Sequence, residues 1–333
     1  MRSHRLESGK LLLTESETPT PGPAQILVRM RAATISRRDL LIRSGRYPLP
    51  ATPGVVPLSD GAGEVVAAGA AVTRFRVGDR VTGSYWPHWH DGPLTAAKTG
   101  QLGCTEDGML AEYVLLDQGS AVAVPEHLTW SEAASFTCGG VTAWRSVTCA
   151  GLLPGQTALA LGSGDVSLFA IQIAKLTGLR AIVTSANPGK TERLLALGAD
   201  HVVDYAKEAD WAARVRELTG GAGADLVIET QGPATIEQSL AAVAFDGELV
   251  LLRVTGDEPE PMIINEGVYS GLASIRREFV GSRSDLEAML RAYGYHGLRP
   301  VVDREFAFEE AEEAYGYFAA NTAFGKVAVR FGD

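Results

Sequence analysis

Hydrophobic and polar residues alternate over short stretches in roughly the first 120 residues of the chain. Strand-like runs include QILVRMRAATI (25–35), AGEVVAAG (62–69) and LAEYVLL (110–116), and turns rich in glycine and proline separate them about every ten residues. This pattern predicts a β-barrel or sandwich.

The pattern changes near Pro125, and from residue 157 onward apolar strand-like runs alternate with helical periodicity. Thr129 and Glu132 have the spacing of a capping box, and Asn187 followed by Pro188 is typical of a helix start. The alternation predicts an α/β fold, a doubly wound parallel sheet of the Rossmann type. The predicted strands lie near 158–162, 180–184, 201–204, 225–229, 247–252 and 274–280, and the helices near 166–177, 188–197, 208–219, 234–243 and 284–293.

Composition narrows the classes of partner. The 333 residues include 40 acidic and 30 basic side chains, so the net charge of −10 argues against nucleic acid or an anionic membrane surface. Three scattered cysteines do not form a disulfide framework, and no apolar run reaches the roughly 18 residues of a membrane span. We expect no signal peptide in the first 15 residues, a cytoplasmic location and a small-molecule substrate.

The segment LALGSGDVSLFAIQIAK (159–175) runs from a strand through a Gly-x-Gly turn into a helix. In dinucleotide-binding proteins the two glycines allow a tight turn and close approach of the pyrophosphate to a helix N-terminus. The third small position is Ser167, and Asp165 would repel phosphate if its carboxylate pointed there. We still predict cofactor binding at this turn, through Gly162, Ser163, Gly164, Asp165 and Val166.

The end of the second predicted strand indicates which nucleotide is bound. An acidic residue there would hold the adenosine ribose of NAD, but residues 184–187 are Thr, Ser, Ala and Asn. Small polar residues followed by Lys190 and Arg193 would accept a 2′-phosphate, although both could be ordinary solvated helix positions. NADP(H) is therefore favoured over NAD(H), with Ser185, Asn187 and Lys190 as contacts.

Several ordered motifs give the chain a family likeness. They are RRDLLIRSGRYP (37–48), VPLSDGAGEVVAAGAAVTRFRVGDRV (56–81), CGGVTAW (138–144), LGADHVVDY (197–205) and FGKVAV (324–329). The whole chain thereby resembles the medium-chain dehydrogenase/reductase superfamily, above all its zinc-independent branch of quinone oxidoreductases and NADP-dependent alcohol dehydrogenase-like proteins. The resemblance implies a GroES-like catalytic domain over 1–124 completed by 298–333, a Rossmann domain over 125–297, and an active site in the cleft between them.

The resemblance also raises the question of zinc. The positions that bind catalytic zinc in the zinc-dependent members read Ser36, Ser59 and Cys138, with Asp60 beside them. Serine hydroxyls are poor zinc ligands, so we expect no zinc; His88 and His90 are the other candidates. Without a Lewis acid, hydride transfer to a quinone or an α,β-unsaturated carbonyl is favoured, because its charge is delocalised. One alternative is an NAD(P)-dependent alcohol dehydrogenase. The other is a catalytically idle NADPH-binding protein, and the presence of Asp165, Ser36 and Arg37 favours this second alternative.

Residue roles follow from the resemblance position by position. Tyr47 matches an active-site tyrosine that could donate to the product oxyanion, or it could simply pack the barrel mouth. Cys138 should line the substrate side and Thr142 should approach the nicotinamide. The segment SIRREFVG (274–281) is where family members commonly pair into homodimers. The remaining implied cofactor contacts are Tyr205, Thr230, Gly232, Leu252, Arg253, Phe324 and Lys326.

Overall fold

The computed structural model describes residues 1–252, 268 and 271–332. The chain forms two compact units, one of Met1–Val141 with Val280–Asp333 and the other of Thr142–Phe279. These unit boundaries make the second unit smaller than the predicted domain of residues 125–297.

The first unit is built on a mostly antiparallel sheet around one long central strand. Its strands are β1 Arg2–Glu7, β2 Lys10–Glu15, β3 Gln25–Ile35, β4 Asp60–Ala68, β5 Arg80–Gly83, β6 Tyr113–Asp117, β7 Ala121–Ala123, β14 Val302–Ala307 and β15 Lys326–Arg330.

The strand order in the sheet is β14-β15-β3-β4-β5-β7, and β6 pairs with the N-terminal half of β3. Strands β1 and β2 form a separate hairpin. Because β3 pairs with β15, β4 and β6, it fixes the positions of three other strands.

Apolar side chains from β3, β4, β15 and the C-terminal helix fill the core of this unit. Ile26, Met30, Ile35, Leu58 and Val327 are almost completely buried there. The helices are α1 Arg37–Arg43, α2 Trp130–Ala133, a π-helical turn Phe136–Gly140, α8 Arg283–His296 and α9 Ala311–Ala319. Helix α3, Val141–Thr148, begins at the last residue of the unit's N-terminal segment, and its other residues belong to the second unit.

The second unit contains a six-stranded sheet that is parallel throughout, in the order β10-β9-β8-β11-β12-β13. This is the order expected of a Rossmann sheet, with the crossover point between β8 and β11. Its strands are β8 Thr157–Leu161, β9 Arg180–Thr184, β10 His201–Val203, β11 Ala224–Glu229, β12 Val243–Leu251 and β13 Ser274–Arg277, and its helices are α4 Asp165–Leu176, α5 Thr191–Leu197, α6 Trp211–Leu218 and α7 Ile236–Ala242.

The predicted alternation of strands and helices is confirmed, and the differences lie at element ends. α6 begins at Trp211 rather than near 208 because Asp210 caps it, accepting from the Ala213 N–H at 3.0 Å. Residues 188–190 form a separate 3-10 turn capped by Asn187. α8 runs to His296 and ends at Gly297 in the left-handed conformation, three residues beyond the prediction. The capping box of Thr129 and Glu132 is present.

Over the described residues, no helix combines the length and apolar character that crossing a bilayer requires.

Candidate active site

Three strand ends meet in the first unit and place Ser36, Asp60 and Lys326 side by side. Thr34 of β3 pairs with Asp60, the first residue of β4, and Ile35 pairs with Val327 of β15. Ser36 follows β3 directly and caps α1, while Lys326 is the first residue of β15. The register alone therefore brings an acid and a base to either side of Ser36.

Asp60 is the centre of this polar cluster. Its Oδ2 accepts from Ser36 Oγ at 2.8 Å and from Ser59 Oγ at 3.2 Å, and its Oδ1 accepts from the Cys138 N–H at 2.7 Å. Lys326 Nζ donates to Ser36 Oγ at 2.8 Å and lies 3.5 Å from Asp60 Oδ2. The two charged side chains are fully buried, so they form an ion pair shielded from water.

Two irregular backbone segments hold this cluster. Leu58, just before Ser59, has φ = 71°, a left-handed conformation that costs a branched residue energy, and its buried side chain is held by the core. Cys138 lies in the π-helical turn, a feature often found at functional sites. The left-handed backbone at Leu58 and the π-helical turn together direct the Ser59 hydroxyl and the Cys138 N–H toward Asp60.

The residues at this place do not fit a catalytic zinc ion. Zinc needs three thiolate, imidazole or carboxylate ligands and a water. This cluster offers two such groups, the Asp60 carboxylate and Cys138, and its other members are the neutral hydroxyls of Ser36 and Ser59 and the Lys326 ammonium. His88 bonds to Glu106 at 2.9 Å, and within the described part of the chain no three His, Cys, Asp or Glu side chains form a metal-binding group.

A second polar cluster surrounds Tyr47 in the same unit. The hydroxyls of Tyr47 and Tyr85 lie 2.8 Å apart, and both donate to Gln101 Oε1, at 2.9 and 2.8 Å. The Arg38 guanidinium stacks on both rings, 5.5 and 4.7 Å from their centroids, and pairs with Asp39 at 3.4 Å. Tyr47 is half-buried, and the other four side chains are buried.

Two donors of this second cluster are buried without a hydrogen-bond partner among the described residues, Arg38 Nε and Gln101 Nε2. A buried donor left unpaired costs about 1–3 kcal/mol, so such groups usually meet a water or a ligand oxygen. Arg38 Nε and Gln101 Nε2 are therefore available to donate hydrogen bonds to an oxygen atom of a bound molecule.

Burial governs the titration of these groups. It raises the pKa of Tyr47 and raises that of Tyr85 well above its ordinary value, outweighing the opposing effect of the Arg38 guanidinium. Burial also raises the pKa of Asp39 to about 6, although Arg38 and the Ser36 N–H lower it. Both phenols consequently remain protonated at neutral pH and can act only as donors of a proton.

In the second unit, the predicted cofactor residues follow the carboxyl ends of five parallel strands. Gly162 follows β8, Ser185 follows β9, Thr230 follows β11 and Leu252 follows β12, while Tyr205 lies two residues beyond β10. In open α/β sheets ligands bind at this edge, next to the crossover point. The structure thus brings the predicted residues of this unit together along one edge.

The turn that is predicted to bind phosphate connects strand β8 to helix α4, as the sequence indicates. Gly162 has φ = 78° and donates to Thr184 Oγ1 at 3.1 Å. Gly164 caps α4, and a Cβ added to it would have no heavy atom of the described residues within 4 Å. The chain's own packing therefore does not require glycine at 164, and the open space is available for a pyrophosphate.

Two side chains explain how this turn departs from the usual three glycines. Ser167 is buried and donates to the Leu161 carbonyl at 2.6 Å, so a small polar residue fits the close approach of α4 to β8. Asp165 accepts from the Val166 N–H at 2.9 Å, at the N-terminus of α4. Its carboxylate therefore occupies a helix N–H that a phosphate could otherwise use.

The surroundings of the predicted 2′-phosphate contacts are polar and accessible. Ser185 is buried and its Oγ accepts from the Asn187 N–H at 3.3 Å, while Asn187 itself is exposed. Lys190 is half-buried, and Arg193 and Tyr205 are exposed.

A buried carboxylate that the sequence patterns did not indicate shapes the loop after β11. Glu229 Oε1 accepts from the N–H groups of Gln231 and Gly232 at 2.6 and 2.8 Å, and Oε2 accepts from Ser239 Oγ and from Thr235 Oγ1. Glu229 therefore fixes the loop that carries the predicted contacts Thr230 and Gly232.

Several other predicted positions need separate mention. Thr142 is buried at the start of α3, and Ser163 and Val166 are half-buried in the phosphate turn. Phe324 is buried in the first unit, and the Lys326 ammonium contacts Ser36 there, so a cofactor contact by either residue stays a prediction. Arg253 lies outside the described residues. The side chains not predicted from sequence are Arg38, Tyr85, Gln101 and Glu229.

Comparisons with known proteins place the chain in a family. Residues 22–126 match the alcohol dehydrogenase GroES-like domain, and residues 166–293 match the zinc-binding dehydrogenase family. A zinc-type alcohol dehydrogenase-like protein of Schizosaccharomyces pombe is 36% identical over 95% of this chain and 94% of its own length.

Two further relatives extend the comparison. A quinone oxidoreductase of Pseudomonas aeruginosa is 32% identical over 93% of this chain and 92% of its own. The crystal structure of an NAD-dependent alcohol dehydrogenase superposes with a TM-score of 0.90 at 32% identity, over the full length of both chains. This chain therefore belongs to the medium-chain dehydrogenase/reductase superfamily and is an alcohol dehydrogenase-like oxidoreductase.

Proposed function

We propose that this protein is an NADPH-dependent, zinc-independent reductase that transfers hydride to a quinone or to an α,β-unsaturated carbonyl compound. The observation that carries the proposal is the cluster around Asp60. At the positions where zinc-dependent members hold their metal, this chain has Ser36, Ser59 and Cys138, with the Lys326 ammonium bonded to Ser36.

This substrate class follows from where negative charge develops. Hydride addition to a simple ketone gives a localised alkoxide, which needs a strong electrophile such as a metal ion. Hydride addition to an enone or a quinone gives an enolate or a hydroquinone anion, whose charge a hydrogen-bond donor can stabilise. A chain with neutral donors in place of zinc ligands is better suited to the second kind of substrate.

Tyr47 is the donor we assign to that anion. Its phenol stays protonated because burial raises its pKa, and it is the only half-buried member of the polar cluster with Tyr85, Gln101, Arg38 and Asp39 described above. Tyr85 and Gln101 hold the hydroxyl in place, and Arg38 packs on the ring. The phenol would donate to the carbonyl oxygen as charge develops, and the proton is later replaced from solvent.

The residues along the sheet edge fit a pyridine nucleotide, which when bound supplies the hydride. Gly162, Gly164 and the N-terminus of α4 would hold the pyrophosphate, and the loop shaped by Glu229 would run along the nicotinamide ribose. Ser185, Asn187, Lys190 and Tyr205 would surround the adenosine 2′-phosphate.

The preference for NADPH depends on Lys190. Replacing it with alanine removes a cation beside the 2′-phosphate, so we expect the Kd for NADPH to rise about tenfold and that for NADH to change little. Titration of both nucleotides by intrinsic fluorescence measures this, with Lys175→Ala as a control because Lys175 pairs with Asp200 on the surface. An equal loss for both nucleotides would contradict the assignment.

A substrate panel tests the proposed reaction. NADPH oxidation is followed with ortho-quinones, para-quinones and α,β-enones, and NADP⁺ reduction with primary and secondary alcohols, all in buffer that contains a chelator. We expect turnover of quinones or enones and little turnover of alcohols. Inert quinones and enones combined with rapid alcohol oxidation would reject the proposal in favour of an alcohol dehydrogenase.

An alcohol dehydrogenase is the second candidate because several of the similar proteins are named alcohol dehydrogenase or, like the relative from Schizosaccharomyces pombe, alcohol dehydrogenase-like. NADPH binding without turnover of any substrate would instead identify an idle nucleotide-binding protein.

We also propose a cytoplasmic homodimer that pairs through β13, the edge strand of its sheet. Native mass spectrometry of the purified protein measures that oligomeric state.

A further inference from the structure

Arg38 places a positive charge inside the polar cluster around Tyr47. Its Nη1 donates to the Leu102 carbonyl at 2.9 Å, and its Nη2 lies 3.4 Å from Gln101 Oε1. The guanidinium stacks on the rings of Tyr47 and Tyr85, and only 7% of the residue is exposed. Because water is largely excluded there, the charge acts strongly on groups within a few ångströms.

We infer that Arg38 is the cation that stabilises the anion formed when hydride is added to a substrate whose carbonyl oxygen is bonded to Tyr47. The inference rests on the proposed function and deepens it, because it adds a source of positive charge to the hydrogen bond from Tyr47. The ligand class that this place would favour is a delocalised oxyanion, an enolate or a phenolate. Arg38 acts through Tyr47 and Gln101, so it is a positioning residue.

The guanidinium is close enough to act on the hydroxyl of Tyr47. Gln101 Oε1 accepts from Tyr47 at 2.9 Å and lies 3.4 Å from Arg38 Nη2, so a single oxygen atom separates the guanidinium from the phenol hydroxyl. The stacking on the Tyr47 ring, with 5.5 Å between the guanidinium carbon and the ring centroid, holds the two groups together. The positive charge therefore faces both the ring and the oxygen that Tyr47 shares with Gln101.

Negative charge passes through two positions during the reaction, and Arg38 is near both. Hydride addition leaves the charge on the substrate oxygen. The O–H bond of Tyr47 then breaks and its proton moves to that oxygen, so the charge lies on the phenol oxygen until solvent returns a proton. A fixed cation beside Tyr47 stabilises the system before and after this proton transfer.

Asp39 compensates the charge of Arg38 only in part. Its Oδ1 lies 3.4 Å from Arg38 Nη1, farther than the roughly 2.7–2.9 Å of a strong charge-assisted hydrogen bond, and its Oδ2 accepts from the Ser36 N–H at 2.8 Å. Burial raises the pKa of Asp39 to about 6 against the opposing effect of Arg38. Arg38 Nε also has no hydrogen-bond partner among the described residues. The guanidinium can therefore still stabilise an added anion.

Binding of 4-nitrophenol tests the inference without any turnover. The ionised probe is a delocalised oxyanion and is yellow, whereas the neutral phenol is colourless, so its absorbance reports its charge. We expect the wild-type protein without nucleotide to bind the anion, and Arg38→Met to raise the Kd at least about tenfold. Arg38→Lys, which keeps the charge without the planar group, should lie between the two, and Tyr47→Phe should weaken binding as well.

Two results of this titration would overturn the inference. One is the same Kd for the anion in the wild-type protein and in Arg38→Met. The other is a wild-type protein that does not bind the anion.

Steady-state kinetics give a second measurement. An uncharged quinone or enone interacts little with the cation until charge develops, so Arg38→Met should lower kcat by about 10- to 100-fold and change KM by less than about threefold. Arg80→Met is the matched control, because Arg80 stacks on Trp130 in the same unit, 4.1 Å from the ring centroid. A raised KM with an unchanged kcat would mean that Arg38 only packs the rings, which contradicts the inference.

The loss of Arg38 also affects folding, because the buried Asp39 carboxylate then lacks its cation. Arg38→Met should lower the melting temperature, and Asp39→Asn added to it should restore much of the loss, since an asparagine oxygen still accepts from the Ser36 N–H. This double variant should bind the 4-nitrophenol anion weakly and turn over slowly. Recovery of wild-type binding and kcat in the double variant would show that Arg38 serves stability alone, against the inference.

The proposed function and this inference fail in different ways. A protein that binds the 4-nitrophenol anion through Arg38 but reduces no quinone or enone would refute the proposed function alone. A protein that reduces them, with the same kcat and the same probe Kd in Arg38→Met as in the wild type, would refute this inference alone.

Discussion

At the scale of single residues, the chemistry depends on a small number of buried polar groups that share partners. Gln101 Oε1 accepts from both tyrosine hydroxyls, while its Nε2 has no partner among the described residues. Each phenol has one proton, so Tyr47 can turn from Gln101 to a substrate oxygen while Tyr85 keeps the amide satisfied. Tyr47 can therefore donate to a substrate while Gln101 Oε1 keeps its hydrogen bond from Tyr85.

Replacing Tyr47 with phenylalanine should lower kcat for quinone or enone reduction by about 10- to 100-fold, the usual effect of losing one donor to a developing oxyanion. The phenol is the active form below its pKa, and burial raises that pKa above its ordinary value near 10. The wild-type rate should therefore show no loss from this group until the pH exceeds about 10, and the variant should lack that alkaline decline.

The pH dependence of kcat measures both expectations. Tyr317→Phe is the matched control, because it removes a phenol that bonds to Asp303 at 2.7 Å in the same unit. A Tyr47→Phe enzyme with unchanged kcat and the same pH profile would show that Tyr47 only packs the barrel, the simpler structural alternative.

At the scale of elements, strand ends and helix ends do most of the positioning. The end of β3 sets Ser36 between the first residues of β4 and β15, and five strand ends of the parallel sheet line up the predicted nucleotide contacts. α4 opens behind Gly164 with its first N–H groups directed at that edge, but Asp165 competes for one of them. We therefore expect the N-terminus of α4 to bind an anion more weakly than it would without this carboxylate.

Replacing Asp165 with asparagine should tighten NADPH binding about two- to fivefold. An acid in the first turn of a helix is worth about 0.3–1 kcal/mol to the helix, and a similar repulsion of the pyrophosphate disappears with its charge. Glycine at the same position should act in the same direction. Isothermal titration of NADPH measures the change.

Asp210→Asn is the matched control for this experiment, since Asp210 caps α6 in the same unit through the Ala213 N–H. An unchanged Kd in the Asp165 variants would mean that the carboxylate serves the helix alone, and a weaker Kd would mean that it helps to organise the turn.

At the scale of the whole molecule, the pattern of apolar residues predicted the order of strands and helices in the second unit, because the central strands of its parallel sheet are apolar and buried and its helices bury apolar residues as well. Helix ends were predicted less well, since hydrogen bonds such as that from Ala213 to Asp210 decide them. The convergence of Ser36, Ser59 and Cys138 on Asp60 follows the family motifs. The pairing of Lys326 with Ser36 does not, because it depends on the register of two strands nearly 300 residues apart.

Other site residues also escaped prediction for physical reasons. No local pattern marks Arg38 as a buried cation, yet its side chain is buried and its guanidinium stacks on two aromatic rings. Gln101 and Tyr85 lie in two separate loops, and no local pattern links them to Tyr47. Glu229 gave a signal that could have been used, because an acid that directly follows the apolar residues 226–228 of a strand must find internal donors.

Reduction without a metal ion distinguishes the proposed reductase from a zinc-dependent dehydrogenase. It is measured by kcat/KM for the best quinone or enone of the panel, on one preparation before and after exhaustive chelation, with zinc content determined in parallel. We expect the same kcat/KM in both states, within about a factor of two, at zinc contents far below one per chain. A loss of activity on chelation that added Zn²⁺ restores would contradict this expectation.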